Sequence, residues 1–281
     1  MSEILLISPD GMLGRAFCEL FGKRNVAYET VTYPQFDITN AEHVARAVHS
    51  GIRTVINCSA YTNVDGAESN EPEALAVNAT GVQLLAARCK AVGALLVHYS
   101  TDYVFSGDGS APYRVDERLQ PKNAYGRTKA RGEELLLASG AEHLIVRTSW
   151  LYAAWGKNFV DTMARLGRER PSLNVVNDQR GRPTSARYLA ERTLDLLERK
   201  ARGIFHVTDG GECTWYEFAS AIVAGTGGRA KVNPCTSDEY KQVAKRPAYS
   251  VLDLSRTDAL IGPSKPWQEN LAEVLQERAS S

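Results

Sequence analysis

An α/β fold, a doubly wound parallel sheet with a smaller C-terminal lobe, is predicted by three features of the sequence. Short apolar runs rich in β-branched residues alternate with longer helical patterns through the first half; the first run leads into a glycine-containing turn; and the alternation breaks after Thr148 into a cluster of aromatic residues. With 281 residues, 43% hydrophobic and 23% charged, the chain suits a soluble globular protein of one or two domains.

Ile4 to Ile7 is a continuous apolar run of the kind buried on both faces of a sheet, and Leu13 to Lys23 after it is helical. A second strand ends near Thr32-Tyr33-Pro34. Ala41 to Ser50 reads as a helix, Thr54 to Cys58 as a strand and Pro72 to Val92 as a helix whose inward stripe is Leu75, Asn78, Val82, Leu85, Cys89 and Val92. Leu95 to Ser100 and Leu144 to Thr148 are further strands around the helix Ala124 to Ser139, and each helix is long enough for a right-handed crossover. Trp150, Tyr152, Trp155 and Phe159 then crowd together with Gly156, too aromatic for a linker and too irregular for a strand, which reads as a pocket wall. Leu173 to Val176 (strand), Ser185 to Lys200 (helix) and Gly203 to Val207 (strand) resume the pattern. Trp215 to Thr226 is helical, the stretch around Pro234 is a loop, and Gln268 to Arg278 is a final helix. Residues 1–148 form the expected nucleotide-binding domain, with 172–207 returning to it. Residues 149–171 and 208–281 form the expected substrate lobe, with the ligand cleft between the two.

Lys+Arg and Asp+Glu both number 33, so the formal net charge is +0; there is no basic footprint for nucleic acid or anionic lipid, and neither is an expected partner. No apolar run approaches the roughly 20 residues of a membrane span, and Met1-Ser2-Glu3 lacks the order of a signal peptide, so a cytoplasmic location is expected. The five cysteines, Cys18, Cys58, Cys89, Cys213 and Cys235, contain no C-x-x-C pair and read as reduced buried thiols. His43, His49, His98, His143 and His206 are scattered without ligand spacing, so no metal site is expected.

The turn Ser8-Pro9-Asp10-Gly11-Met12-Leu13-Gly14 has the position and length of a dinucleotide loop with two of three glycines. Gly11 suits close approach of a diphosphate to backbone amides at a helix N-terminus, and Gly14 suits close helix–strand packing; Ser8 replaces the first glycine. Pro9 removes one amide donor and Asp10 adds a negative charge there. No acidic residue closes the second strand to bind both ribose hydroxyls of NADH, which leans toward NADPH; Arg15 is either a 2′-phosphate ligand or a surface arginine. Asp37 and Ile38 are candidates to flank the adenine. Ser59, Ala60, Tyr61 and Thr62 are placed to line the cofactor or to pack the main chain. Asn78 either ties down a neighbouring backbone or reaches the site.

Tyr125 and Lys129 form a Y-x-x-x-K, with Pro121 as a stop and Asn123 as N-cap ahead of it, which puts both side chains on one helix face. A phenol with a pKa of about 10 is a poor acid–base catalyst at neutral pH, and a lysine one turn away favours the phenolate. Tyr99, Ser100 and Thr101 lie at the carboxyl end of a strand, where open α/β sheets bind ligands and a hydroxyl can hold a substrate carbonyl. Glycine loop, strand-end hydroxyl and Y-x-x-x-K in this order resemble the extended, Rossmann-like branch of the short-chain dehydrogenase/reductases.

Within that branch the chain resembles the dTDP-4-dehydrorhamnose reductases over almost its whole length. The matching stretches include Gly11-Met-Leu-Gly14, Asn57-Cys-Ser-Ala-Tyr-Thr-Asn-Val-Asp65, Val97-His-Tyr-Ser-Thr-Asp-Tyr-Val-Phe105, Tyr125-Gly-Arg-Thr-Lys129 and Arg147-Thr-Ser-Trp-Leu-Tyr152. Further on they include Lys157-Asn-Phe159, Asn177-Asp-Gln-Arg-Gly-Arg-Pro-Thr184 and Arg246-Pro-Ala-Tyr-Ser250. The resemblance implies hydride transfer from a reduced nicotinamide to C4 of a dTDP-linked 4-keto-6-deoxyhexose, with Tyr125 as proton donor, Lys129 holding ribose and tuning Tyr125, and Thr101 on the reacting oxygen. It implies Asp102, Tyr103, Trp150, Asn158, Gln179, Arg182 and Arg246 on the substrate side, Arg246 facing diphosphate. Some relatives are magnesium-linked dimers through glutamates; Arg15-Ala16 and Ala186-Arg187 stand in the comparable stretches, so no metal is expected and a homodimer stays open. Two other readings remain: a non-catalytic dinucleotide-binding subunit resembling the regulatory β subunit of methionine adenosyltransferase, and a nucleotide-sugar epimerase or dehydratase.

Overall fold

Apolar runs of four to seven residues flanked by turn formers become strands, and the amphipathic stretches between them become the covering helices. The computed structural model describes residues 3–280. The chain runs β1 (Ile4–Ile7), α1 (Met12–Arg24), β2 (Glu29–Val31), α2 (Ala41–Ala47), β3 (Thr54–Asn57), α3 (Val64–Ser69), α4 (Glu71–Leu75), a π turn (Ala76–Gly81), α5 (Val82–Val92), β4 (Leu95–Thr101), a 3-10 turn (Asp102–Val104), α6 (Ala124–Ser139) and β5 (His143–Thr148). It continues through β6 (Leu151–Tyr152), α7 (Phe159–Glu169), β7 (Ser172–Val176), β8 (Arg180–Gly181), β9 (Thr184–Ser185), α8 (Ala186–Glu198) and β10 (Gly203–His206). The last elements are β11 (Cys213–Thr214), α9 (Trp215–Gly225), β12 (Lys231–Cys235), α10 (Ser255–Ile261) and α11 (Trp267–Ser280).

Six strands pair in parallel in the order β10-β5-β4-β3-β1-β2. The order reverses between β1 and β3, which opens a crevice at the carboxyl ends of those strands. Phe17, Leu20 and Phe21 of α1 and Leu189 and Leu194 of α8 cover one face; Val44 of α2, Leu85 and Cys89 of α5 and Leu136 of α6 cover the other. A separate core joins α7, α9 and α11 through Val160, Met163, Phe218, Ile222, Trp267 and Leu271.

Four expectations are corrected. The stretch Pro72 to Val92 is not one regular helix: the π turn inserts a residue, which rotates the preceding turn, so Ala74 faces inward while Leu75 is exposed; at the other end Val92, the last residue of α5, is half-buried. The stretch around Pro234 is a strand, β12, paired in parallel with β7, and a proline is tolerated because this is an edge. That pairing takes β7 out of the main sheet, so of residues 172–207 it is α8 and β10 that return to it. The aromatic segment is not wholly irregular: Leu151–Tyr152 is the short strand β6, paired with β9, and Asn158 caps α7 by accepting from Asp161 N–H at 3.2 Å.

All five cysteines are free thiols; Cys89 and Cys213 are buried, Cys18, Cys58 and Cys235 half-buried. Among the described residues no helix is long and apolar enough to cross a membrane.

Candidate active site

At the carboxyl end of β1, Gly11 precedes α1 and no side chain caps that helix, so the first-turn amides keep their donor capacity. A Cβ on Gly14 would sit 1.9 Å from the Ser8 carbonyl oxygen, so glycine is obligatory there. A Cβ on Gly11 would meet only ordinary contact at 3.5 Å, so the protein itself does not demand glycine at 11. Ser8 holds a left-handed φ of 61°. The Asp10 carboxylate accepts from the Thr32 hydroxyl at 2.6 Å and so ties the loop to the end of β2. Leu13 is buried, the Met12 carbonyl accepts from Trp155 Nε1, and Arg15 pairs with Glu19 at 3.2 Å while lying over the Trp155 ring.

Asp37 accepts from the Thr39 amide and hydroxyl, and Ile38 is a core residue pressed against Gly81. After β3, Ser59 hydrogen-bonds Asn57, Ala60 is half-buried, and Thr62 is exposed. Asn78 ties down backbone: its Oδ1 accepts from Tyr61 N–H and its Nδ2 donates to Tyr61 O and to the Thr128 hydroxyl. The π turn presents the Asn78 carbonyl so close to α6 that a Cβ on Gly132 would lie 2.1 Å from it. The Tyr99 ring sits in the core with its hydroxyl on Thr193, and it is the Tyr99 carbonyl that faces the site.

Asn123 caps α6 by accepting from Gly126 N–H at 2.8 Å, and the helix carries Tyr125 and Lys129 to the end of β4. Thr101 donates to Asp102 Oδ1 at 2.9 Å and accepts from Tyr103 N–H at 3.2 Å, and its hydroxyl lies beside the Tyr125 phenol. Burial raises the Asp102 carboxyl to about 6, with Ser250 and Thr101 opposing the rise. Burial, and then the Asp102 charge, push the Tyr125 phenol above its ordinary value. The expected lowering by Lys129 is therefore not what this geometry gives: Lys129 Nζ donates to the Tyr99 carbonyl at 2.6 Å. Burial lowers Lys129 itself to about 8. Ser100 Oγ is buried with no hydrogen-bond partner. An orphaned hydroxyl, an uncapped helix and a glycine that internal packing does not require all fit a phosphate-bearing dinucleotide lying over this edge.

Beside Tyr125, Tyr103 packs edge-on at 5.9 Å and forms one wall of a cavity of about 700 Å³. Gln179 and Arg246 also line it, with Phe159, Met163, Asn174, Trp215 and Tyr240. Trp150, at a left-handed φ of 47°, stacks at 3.6 Å on Trp215, which is itself on the cavity wall. The Asn158 amide is spent on the carbonyls of Ala153, Trp155 and Gly156. Arg182 is half-buried, with its Nε lacking a partner. Arg246 pairs with Asp65 of α3 at 3.0 Å. Sequence reasoning missed Trp215, Tyr240, Met163 and Ser250; the single signal for Trp215 is an aromatic at the start of a helix, which does not reveal its partner.

Residues 236–246 form a strap over this cavity. Ser237 donates twice to Asp178 and accepts from Gln179, while at the far end Ala244 N–H donates to Asp65 and the Lys245 carbonyl accepts from Asn123. Between these anchors Tyr240 and Val243 are 55% and 76% exposed.

Comparison with known proteins agrees over the full length. Residues 1–280 match the family described as RmlD substrate binding domain. A dTDP-4-dehydrorhamnose reductase of Streptomyces griseus is 41% identical over 96% of this chain and 91% of its own. The spore coat polysaccharide biosynthesis protein SpsK of Bacillus subtilis is 37% identical over 100% and 99%. The crystal structure of dTDP-4-dehydrorhamnose reductase from Bacillus anthracis in complex with NADP is 35% identical, covers 99% of this chain and 100% of its own, and superposes with a TM-score of 0.94. A six-stranded parallel sheet, Thr101 beside Tyr125 at a strand end and this full-length similarity lead to one assignment: the chain belongs to the RmlD substrate binding domain family, with the dTDP-4-dehydrorhamnose reductases among its relatives.

Proposed function

We propose that the protein is an NADPH-dependent reductase of the C4 keto group of dTDP-4-dehydro-L-rhamnose, giving dTDP-L-rhamnose. The observation that carries this reading is the meeting of Thr101, Asp102 and Tyr125 at the end of β4, between the uncapped α1 terminus and the cavity walled by Tyr103 and Trp215. The names of the relatives supply the sugar and the cofactor.

When bound, the reduced dinucleotide supplies the hydride. The amides of Met12 and Leu13 and the open side of Gly11 would receive its diphosphate, with Ser100, the backbone of residues 59–62 and Lys129 along the rest. Tyr125 holds its proton at neutral pH because burial and the Asp102 charge oppose its loss, which is the state an acid needs to protonate the alkoxide forming at O4. Thr101 orients that oxygen by turning onto it the hydroxyl hydrogen that it otherwise gives to Asp102. The main sheet with α8 serves the cofactor; residues 149–185 and 208–281 serve the nucleotide sugar. Tyr103, Trp215 and Gln179 close on the sugar, while Arg246 reaches a diphosphate by exchanging Asp65 for it.

The test is loss of NADPH absorbance that needs both enzyme and dTDP-4-dehydro-L-rhamnose, compared with NADH. Tyr125→Phe is expected to lower turnover by roughly 10²- to 10⁴-fold with the fold intact. Dinucleotide binding without turnover would move the reading to the regulatory subunit, and an oxidised cofactor retained through purification would move it to an epimerase or dehydratase.

A further inference from the structure

The reaction outlined above leaves one buried neighbour of Lys129 unused. His98 on β4 is fully enclosed, with Nε2 3.5 Å from Lys129 Nζ and Nδ1 3.3 Å from Asn57 Nδ2. The orientation of Asn57 is fixed by a group that can only donate: the Ser59 N–H gives to Asn57 Oδ1 at 3.1 Å, joined by the Ser59 hydroxyl at 2.6 Å. Nδ2 therefore faces His98, and an amide nitrogen has hydrogens and no acceptor capacity. His98 Nδ1 must accept, so the ring proton sits on Nε2. That hydrogen points at Lys129, whose ammonium carries hydrogens alone and gives one to the Tyr99 carbonyl.

We propose that His98 is a positioning residue for Lys129: in the Nε2–H tautomer imposed by Asn57 it opposes the ammonium and accommodates the amine. The role rests on the reading of Lys129 as the lysine of a reductase site. Two donors confront each other when Lys129 is charged, and an ordinary N–H···N bond forms when Nζ presents a lone pair. Burial acts in the same direction on Lys129, with Glu133 opposing. Burial and then the charge of Lys129 hold His98 well below its ordinary value, so the ring takes no second proton. The other groups around the pair are engaged. Glu133 is bonded to Arg147 of β5 at 2.7–3.1 Å and the Tyr99 phenol to Thr193, the Tyr125 phenol lies beside the Thr101 hydroxyl and is held protonated by burial, and burial keeps the Cys58 thiol protonated. Lys129 thus changes charge close to working pH instead of in the range of a solvated lysine.

NMR of the imidazole nitrogens in the unmodified protein reads the tautomer directly. A proton on Nε2 is expected, and one on Nδ1 overturns the proposal. The second experiment titrates Lys129 through its Cε resonance in wild type and Asn57→Asp. A carboxylate at 57 accepts from Ser59 and from His98 Nδ1–H, reversing the tautomer so that Nε2 accepts from Lys129, and the Lys129 midpoint is expected to rise by about one pH unit or more. Asn57→Asp combined with His98→Phe carries the same added charge without the ring. A shift as large in that double variant, or none in a folded Asn57→Asp, overturns the proposal. Neither measurement uses cofactor or sugar, so a failure here is distinct from failure of the reductase reading, which the absorbance assay decides.

Discussion

Tyr125 keeps its proton because burial and the Asp102 charge oppose its loss, which is the condition the proposed acid role requires. The Y-x-x-x-K spacing is legible in the sequence, and so are the hydroxyl of Thr101 and the glycines of the first turn, because each lies within one element or at its end. What the spacing does not reveal is where Lys129 points, since that depends on the Tyr99 carbonyl and His98 of a strand some thirty positions away. Ser8 is a second residue whose meaning appears only in three dimensions. Its left-handed φ is tolerated because its amide donates to Val31 and its carbonyl accepts from Gly11. Ser8→Gly removes a left-handed penalty of ~1–2 kcal/mol and adds ~0.5–1 kcal/mol of chain entropy in the unfolded state. The expected result is a net gain of about 0.5–1 kcal/mol in urea unfolding, with tighter dinucleotide binding by calorimetry; lower stability in the glycine variant would contradict it.

Among elements, the main-sheet strands other than the three-residue β2, and the crossover helices, are readable because each is a continuous apolar or periodic run and locally consistent. β6, β8, β9 and β11 are two-residue strands, and β12 exists because β7 offers it an edge; no local pattern records such pairings. The π turn is likewise invisible in a helical periodicity, yet it decides which residues face inward and places the Asn78 carbonyl against Gly132. Trp215 at the start of α9 is held between Trp150 and Phe159, with ring centroids 3.6 and 4.5 Å away. Trp215→Ala is expected to cost about 2–4 kcal/mol of stability and to raise KM for the sugar nucleotide. Trp215→Phe, which keeps a stacking ring, should recover most of the stability, and a KM unchanged in both variants would remove Trp215 from the substrate side.

At the scale of the whole molecule, Asp209 fastens the C-terminal elements together. Its buried carboxylate accepts from Tyr152 of β6, Ser185 N–H at the start of α8 and Asn270 of α11. Burial raises it to about 7, with those hydrogen bonds opposing. A carboxyl that binds its proton more tightly when folded stabilises the fold below its unfolded pKa of about 4, and this contribution is lost as pH rises through about 7. Asp209→Asn should therefore gain on wild type in melting temperature between pH 4 and 7, and a pH-independent difference would show that Asp209 does not titrate in that window. The strap of residues 236–246 carries a different consequence. It is pinned at both ends and bare in the middle, and neither the main-sheet core nor the C-terminal core includes its residues. A chymotryptic nick after Tyr240 accordingly opens the roof of the cavity while both cores hold, so the rate of cutting at that bond becomes a reporter of whether the chamber beneath is occupied.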